Sequence, residues 1–362
     1  MRVRGTTHVF VAFDLGFEID LARAAERLGT GTRAGSFRHK APRDEAAALK
    51  LPLRFTLPAG ELALGPARTR PELAVALYSF GAASFTYELG FDCELEELVA
   101  QSELLYENAT LLEDARARAR ALLAHLGDAV RDAELAETVE DYVVHRFDAP
   151  GPRLSDLEGA ERERLARVLR AERGALSPHE VENALEGLIA YGPGEIVAVD
   201  WLAALLSGAD VRDELAVLEL ATVELAELRF LDERLERRLD EAYGLLARAR
   251  TRFRGLGRRS AELERLARFQ ADSAILHENF DNALKLLGDD YLARLYELCS
   301  ERFHFGAWDT AIERKLATLE SIYSKLSDEA ARRRSEILEW IIILLFLVDI
   351  LLIFLPEGRG AG

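Results

Sequence analysis

Residues Ile341 to Leu355 read IIILLFLVDILLIFL, a run with a single charge, Asp349. A helix that is apolar all round has no face for water, so such a run must be covered by lipid or by protein. At about 1.5 Å per residue it covers roughly 22 Å, against about 30 Å for a bilayer core. Ile337, Leu338 and Trp340 lengthen it at its start, with Glu339 near the interface. Trp340 suits a membrane boundary, Arg332, Arg333 and Arg334 lie just upstream, only Arg359 follows, and Pro356 closes the segment. Together these flanks predict one C-terminal transmembrane helix over residues 337–356, with a short tail at 357–362. Its anchoring residues are Trp340, Ile341, Ile342, Ile343, Leu344, Leu345, Phe346, Asp349 and Leu355. The arginines upstream keep the bulk of the chain on the cytoplasmic side of the cell (inner) membrane, as a single-pass protein with lipid as its partner. Asp349 costs roughly 2.5–3.5 kcal/mol in hydrocarbon, so it faces a partner helix or reaches for the headgroups.

Upstream of that run the pattern is helical. Leu215, Leu218, Leu225, Leu228, Leu235, Leu239, Ala242 and Leu246 recur at steps of three and four along one stripe, with Glu and Arg on the remaining faces. A second helix runs from about Ser260 to Leu287 and ends at Gly288, and a third covers Asp290 to about Phe303. A last one starts near Trp308 and carries Ile312, Leu316, Leu319, Tyr323 and Leu326 on one face. Residues 206–336 therefore read as long antiparallel, coiled-coil-like helices. The stripes fit homo-oligomerisation and an ordinary bundle core equally.

The first 205 residues are mixed. Thr7 to Leu15, THVFVAFDL, reads as a buried strand, and Asp20 to Leu28 as a short helix. Leu51 to Leu57 and Glu61 to Leu64 are strand-like around the turn Pro58-Ala59-Gly60, and Leu73 to Tyr87 holds two strands bent at Gly81. Asp92 opens a helix to Leu105 as its N-cap. Leu111 to Leu126 and Glu134 to Glu140 have helical patterns, while Asp141 to Phe147 and Glu195 to Trp201 read as strands. Ser177-Pro178 starts another helix, with Ser177 as cap and Pro178 in the first helical position. The fold class is α+β: a mixed N-terminal α/β domain, then long helices, then the membrane helix.

The end of the chain carries a resemblance. Ile337-Leu338-Glu339-Trp340-Ile341-Ile342-Ile343-Leu344-Leu345, with Asp349 following, resembles the LEWIII-type terminal signature of the required-for-meiotic-nuclear-division family, also called domain of unknown function 155 or the Sad1-interacting-factor group. Glu227 to Asp232, Asp289-Asp290-Tyr291 through Tyr296, and Lys315-Leu316 fit the same pattern over about the last 130 residues. More loosely, Val9 to Phe13 and Tyr78-Ser79-Phe80-Gly81 resemble its opening strands. Asp349 stands where that family usually has Glu, and Ile312-Glu313 where it has a Leu-Asn pair. The resemblance implies a membrane-associated protein without established catalytic activity, some of whose relatives support organellar translation.

No motif for chemistry stands out: the chain lacks GxSxG, HExxH, a Walker loop and an EF-hand pattern. His277, Glu278 and Asp281 share a helix face but read as solvated rather than metal-binding, and no cofactor is expected. Cys93 and Cys299 are far apart and form no CxxC, which fits a reducing compartment. A net charge of -17 makes the chain as a whole a poor binder of nucleic acid. The local exception is Ala247 to Ser260, where Arg248, Arg250, Arg252, Arg254, Arg258 and Arg259 occur without an acid. Those cations suit anionic lipid headgroups or RNA phosphates. The expected function is a non-catalytic membrane-anchored scaffold or adaptor whose N-terminal domain binds a protein partner. An RNA- or ribosome-associated factor using the arginine-rich loop is the alternative.

Overall fold

The computed structural model describes residues 1–29, 31, 33–34, 51–148, 159–190, 195–208, 210–249 and 290–354. They fall into two compact units. One holds the described residues of Met1–Asp232 and Leu276–Thr310, the other those of Glu233–Ile275 and Ala311–Gly362.

The strands are β1 (Arg2–Asp14), β2 (Glu18–Ile19), β3 (Arg33–Ala34), β4 (Leu53–Pro58), β5 (Ala63–Leu64), β6 (Ala67–Arg68), β7 (Glu72–Leu77), β8 (Ala82–Glu94), β9 (Val130–Arg131), β10 (Glu140–Phe147), β11 (Leu188–Ala190), β12 (Ile196–Val199) and β13 (Ala203–Ser207). The helices are α1 (Leu21–Leu28), α2 (Leu95–Leu105), α3 (Ala109–Leu126), α4 (Ala160–Leu169), α5 (Pro178–Glu186), α6 (Arg212–Ala249), α7 (Asp290–Arg302) and α8 (Phe305–Phe354). Nine strands form one mixed sheet in the order β11-β12-β13-β10-β1-β8-β7-β4-β3. Among the described strands only β10 and β13 pair in parallel, across a crossover that includes α4 and α5.

β1 and β8 run side by side for thirteen residues, from Arg2↔Glu94 to Asp14↔Ala82. Because successive side chains alternate, Val9, Val11 and Phe13 point to one face and Phe10 and Ala12 to the other, and all are buried. A strand covered on both sides reads as a continuous apolar run, as THVFVAFDL does. On the first face Val9, Val11 and Phe13 pack with Leu111, Ala115, Ala119 and Leu122 of α3. Farther along it Val3, Phe91 and Phe147 meet Leu95 and Leu98 of α2, Leu165 of α4 and Leu185 of α5. On the second face Ala12, Ala76, Tyr78 and Ala82 pack against Leu220, Val223 and Ala226 of α6.

That second face also buries charge. Glu219 of α6 is 3% exposed and pairs with Arg54 of β4 at 2.5 Å, and the Thr86 hydroxyl donates to Glu219 Oε1 at 3.3 Å. At the β7–β8 turn the backbone doubles back so closely that only glycine fits. Gly81 has φ +113°, its carbonyl accepts from Leu15 N at 2.9 Å, and a Cβ there would lie 1.8 Å from the Gly16 carbonyl oxygen.

Local signals set several boundaries. Asp20 caps α1 by accepting from Ala22 N and Arg23 N, and Ser177 caps α5 by accepting from Glu180 N. The structure moves others. β8 continues through Asp92 to Glu94, because Arg2 and Val3 of β1 supply backbone partners that far, and the helix opens only afterwards. Residues Glu134 to Glu140 are not helical: Glu134 N donates to Leu15 O and Ala136 N to Asp14 O, which draws the segment alongside the end of β1. Glu195 to Trp201 forms only β12, and β13 follows after a turn.

In the second unit Leu235 and Ala242 of α6 and Ile312, Leu319, Ile322 and Leu326 of α8 are buried. Lys315 Nζ reaches Glu236 at 3.3 Å. The predicted transmembrane segment requires correction. Trp340, Ile341, Ile342, Ile343, Leu344, Leu345 and Phe346 lie in α8 and are 49–70% exposed. Asp349 belongs to the helix, but its side chain lies outside the described residues, as does Leu355. Among the described residues no helix is long and apolar enough to cross a membrane. The physical reason is length. The uncharged run from Trp340 to Val348 spans roughly 14 Å of a bilayer core of about 30 Å, with Glu336 and Glu339 before it and Asp349 after it. Among its described residues the protein is thus α+β around a large mixed sheet, with no helix that meets the length and apolarity assigned to 337–356.

Candidate functional site

The acids Glu140 and Asp141 open β10. Glu140 stands opposite Ala12, on the side of α6, and Asp141 opposite Val11. Here the sheet is just beginning, so both carboxyls border one hollow of about 350 Å³. Three other segments complete its wall. The turn between α2 and α3 brings Tyr106 and Glu107, the turn between β12 and β13 brings Trp201 and Leu202, and α6 brings Arg229.

Each segment is held by local contacts. α2 stops at Leu105, Glu107 takes φ 46°, and Asn108 caps α3 by accepting from Thr110 N and Leu111 N. Glu107 N donates to Asp141 Oδ2 at 3.1 Å, and the Tyr106 hydroxyl donates to Glu107 Oε1 at 3.0 Å. The Asp200–Leu202 turn is closed by Asp200 N donating to Ala203 O, and Tyr142 Oη donates to the Asp200 carbonyl at 2.8 Å. The Trp201 ring meets Phe303 edge-on at 6.3 Å and tilts over His304 at 5.7 Å. Arg229 pairs with Glu140 Oε2.

The electrostatics are unbalanced. Among the described lining residues three carboxyls face one guanidinium, and Glu140 is only 12% exposed. Burial pushes the Glu140 carboxyl up to about 7, against the pull of Arg229 and with help from the charges of Asp141 and Glu107. Burial likewise raises Asp141 to about 6, partly offset by the N–H of Glu107. Tyr106 rises to about 12 through burial and its bond to Glu107. A concave, partly aromatic site with displaced carboxyl pKa values is the pattern expected where a protein handles a ligand.

One consequence concerns stability. A carboxyl that binds its proton more tightly when folded stabilises the fold below its unfolded pKa of about 4.5, and that contribution is lost as pH rises through about 7. Glu140→Gln should therefore flatten the decline in stability between pH 5 and pH 8. At pH 8 it should leave the variant about 2 kcal/mol more stable than the parent. Urea unfolding at the two pH values measures this, and parallel pH dependences for the two proteins would contradict it.

None of the candidate site residues named from sequence is among the described residues that line the hollow. Arg248 is in α6, but its side chain is outside the described residues, and Arg250, Arg252, Arg254, Arg258 and Arg259 are outside them altogether, as are His277, Glu278 and Asp281. Among the described residues no group of His, Cys, Asp and Glu is arranged to hold a metal ion. Cys93 and Cys299 are free thiols; burial lifts Cys93 to about 11 and Cys299 higher still. His8 and His145 are buried by the sheet and held neutral, at about 4 and about 3. Sequence reasoning missed the hollow because its acids are ordinary in a chain with 63 of them and its walls come from four distant segments. The available signal was the pair Glu140-Asp141 at the mouth of the apolar strand YVVHRF.

A family model described as the N-terminal domain of uncharacterized protein MJ0711 matches residues 4–214, more than half of the chain. The chain belongs to this family. The matched stretch contains the sheet except the first two residues of β1 and reaches the first turn of α6. The uncharacterized protein MJ0711 of Methanocaldococcus jannaschii is 25% identical over 194 residues, which cover 52% of this chain and 58% of that protein. The chain thus spans less than two thirds of that relative. No solved structure matches. These matches replace the resemblance to the required-for-meiotic-nuclear-division family. That resemblance rested on the last 130 residues and above all on an apolar terminus, a pattern unrelated sequences share, whereas the family match lies on the sheet.

Proposed function

We propose that the protein is a non-catalytic adaptor whose sheet domain receives an anchoring group of a partner in the hollow at the start of β10. The observation that carries this reading is the hollow itself. Its volume of about 350 Å³ lies within the usual range for a small-ligand site, roughly 300–1,000 Å³. Its walls combine two aromatic rings with a few polar groups fixed by the protein's own hydrogen bonds, an arrangement that orients an occupant at low entropic cost. The described lining residues all fall within the first unit.

The test is a fragment set of balanced charge, followed through the indole resonance of Trp201 in the full chain. Some fragments should shift that resonance. Ala109→Trp, which fills the hollow from the exposed first turn of α3, should abolish the shifts while leaving the rest of the spectrum in place. If no fragment of any charge moves Trp201, the hollow is not a recognition site.

A further inference from the structure

We infer that the group received by this hollow is an alkylammonium ion. This deepens the proposal above and rests on it. The hollow sets uncompensated charge beside aromatic residues. Glu107, Glu140 and Asp141 face the cavity from the α2–α3 turn and from β10. Among the described lining residues the one cation, Arg229 of α6, is already paired with Glu140. The remaining walls, from α3, Val139 and the β12–β13 turn, contribute no charge. An occupant must therefore enter a space with an excess of two carboxyls over guanidinium. An anion would be repelled, and a neutral group would leave the acids to share protons.

A primary ammonium matches the site in number and shape. It has three N–H donors and needs no acceptor. Each of the three carboxyls has one oxygen engaged by the protein: Glu140 Oε2 by Arg229, Asp141 Oδ2 by Glu107 N, and Glu107 Oε1 by Tyr106. A carboxylate has lone pairs to spare beyond one such contact. Tyr106 and Trp201 bring aromatic rings to the lining, a kind of surface that attracts cations, and Leu112, Val139 and Leu202 bring apolar side chains for an alkyl stem. The raised carboxyl pKa values agree with a site awaiting a positive charge, since a bound cation would draw both acids back to their ionised form.

Uptake of the cation would release protons, so binding strengthens as the carboxyls ionise. The experiment titrates the full chain with butylammonium, 1-butanol, butyrate and Nα-acetyl-lysine N-methylamide, read by calorimetry and by the Trp201 indole resonance. Butylammonium should bind at least tenfold more tightly than 1-butanol, with butyrate weakest, and about tenfold more tightly at pH 8 than at pH 6. Glu140→Gln with Asp141→Asn should weaken the ammonium at least tenfold and remove the pH dependence, while the remaining indole resonances report an intact fold. Tighter binding of the lysine derivative than of butylammonium identifies a partner's lysine as the source, and the reverse order identifies a free amine; either supports the inference. Equal or tighter binding of 1-butanol or butyrate at Trp201 overturns the ammonium assignment and leaves the recognition site standing. If none of the four probes moves Trp201 although other fragments do, the assignment also falls.

Discussion

Arg54→Met should cost the sheet domain about 3–5 kcal/mol, the usual penalty for leaving one member of a buried ion pair without its partner. Glu219 is 3% exposed beneath α6 and cannot turn to water, whereas Arg54 is 35% exposed and can. The pair is therefore asymmetric. Glu219→Met should cost only about 1 kcal/mol, because the stranded guanidinium can hydrate. The double variant Arg54→Met with Glu219→Met should recover most of the loss of the first single variant, since two well-packed apolar side chains replace two desolvated charges. Urea unfolding of the four proteins gives the complete cycle. Equal small losses in both single variants would show that the contact carries no burden of desolvation. Thr86 limits the recovery, because its hydroxyl loses its acceptor on Glu219.

Gly81→Ala should be at least as damaging, at about 4 kcal/mol or more, which is an unusually large effect for one methyl group. Two costs add. A φ of +113° lies where L residues with a side chain are strained, and the new Cβ would sit 1.8 Å from the carbonyl oxygen of Gly16. That contact is backbone against backbone, so no rotamer change relieves it. The turn must open, and with it the bond from Leu15 N to the Gly81 carbonyl. Gly60 is the control. It also has positive φ, at +74°, but nothing lies within 4 Å of its would-be Cβ. Gly60→Ala should therefore cost only about 1–2 kcal/mol. Thermal unfolding of the two variants separates strain from collision, and similar losses in both would remove the close approach as the cause.

How far the fold could be read from the chain differs from element to element. Strand β1 was legible because burial on both faces leaves a long β-branched and aromatic run. The hairpin at Gly81 was legible because a glycine between two apolar runs marks a turn. The cap at Ser177 was legible because a side chain that accepts from a backbone N–H three residues on is a local contact. The misreadings share the opposite property. The extension of β8 to Glu94 depends on Arg2, ninety-two residues earlier. β13 exists because β10, some sixty residues upstream, offers a parallel partner. The segment before β10 is extended because the end of β1 takes its N–H groups.

The apolar terminus was over-read for a related reason. Apolar composition and favourable flanks made 337–356 a transmembrane helix, but spanning is a matter of continuous length, and Glu336, Glu339 and Asp349 bound the uncharged run too closely. The arginine-rich stretch from Arg248 to Arg259 remains a statement about sequence, since only the backbone of Arg248 falls within the described helix.

By itself the sequence determined that β1 is a buried strand, that the chain turns at Gly81 and that Ser177 starts a helix, because each of these follows from backbone sterics and contacts within a few residues. The tertiary structure alone decided which strands neighbour each other, that α6 lays Glu219 onto Arg54, and that Tyr106, Glu140, Trp201 and Arg229 surround one hollow. Those arrangements depend on side chains separated by dozens of residues finding one another as the sheet closes. Desolvation, which moves the Glu140 carboxyl to about 7, exists only once they have.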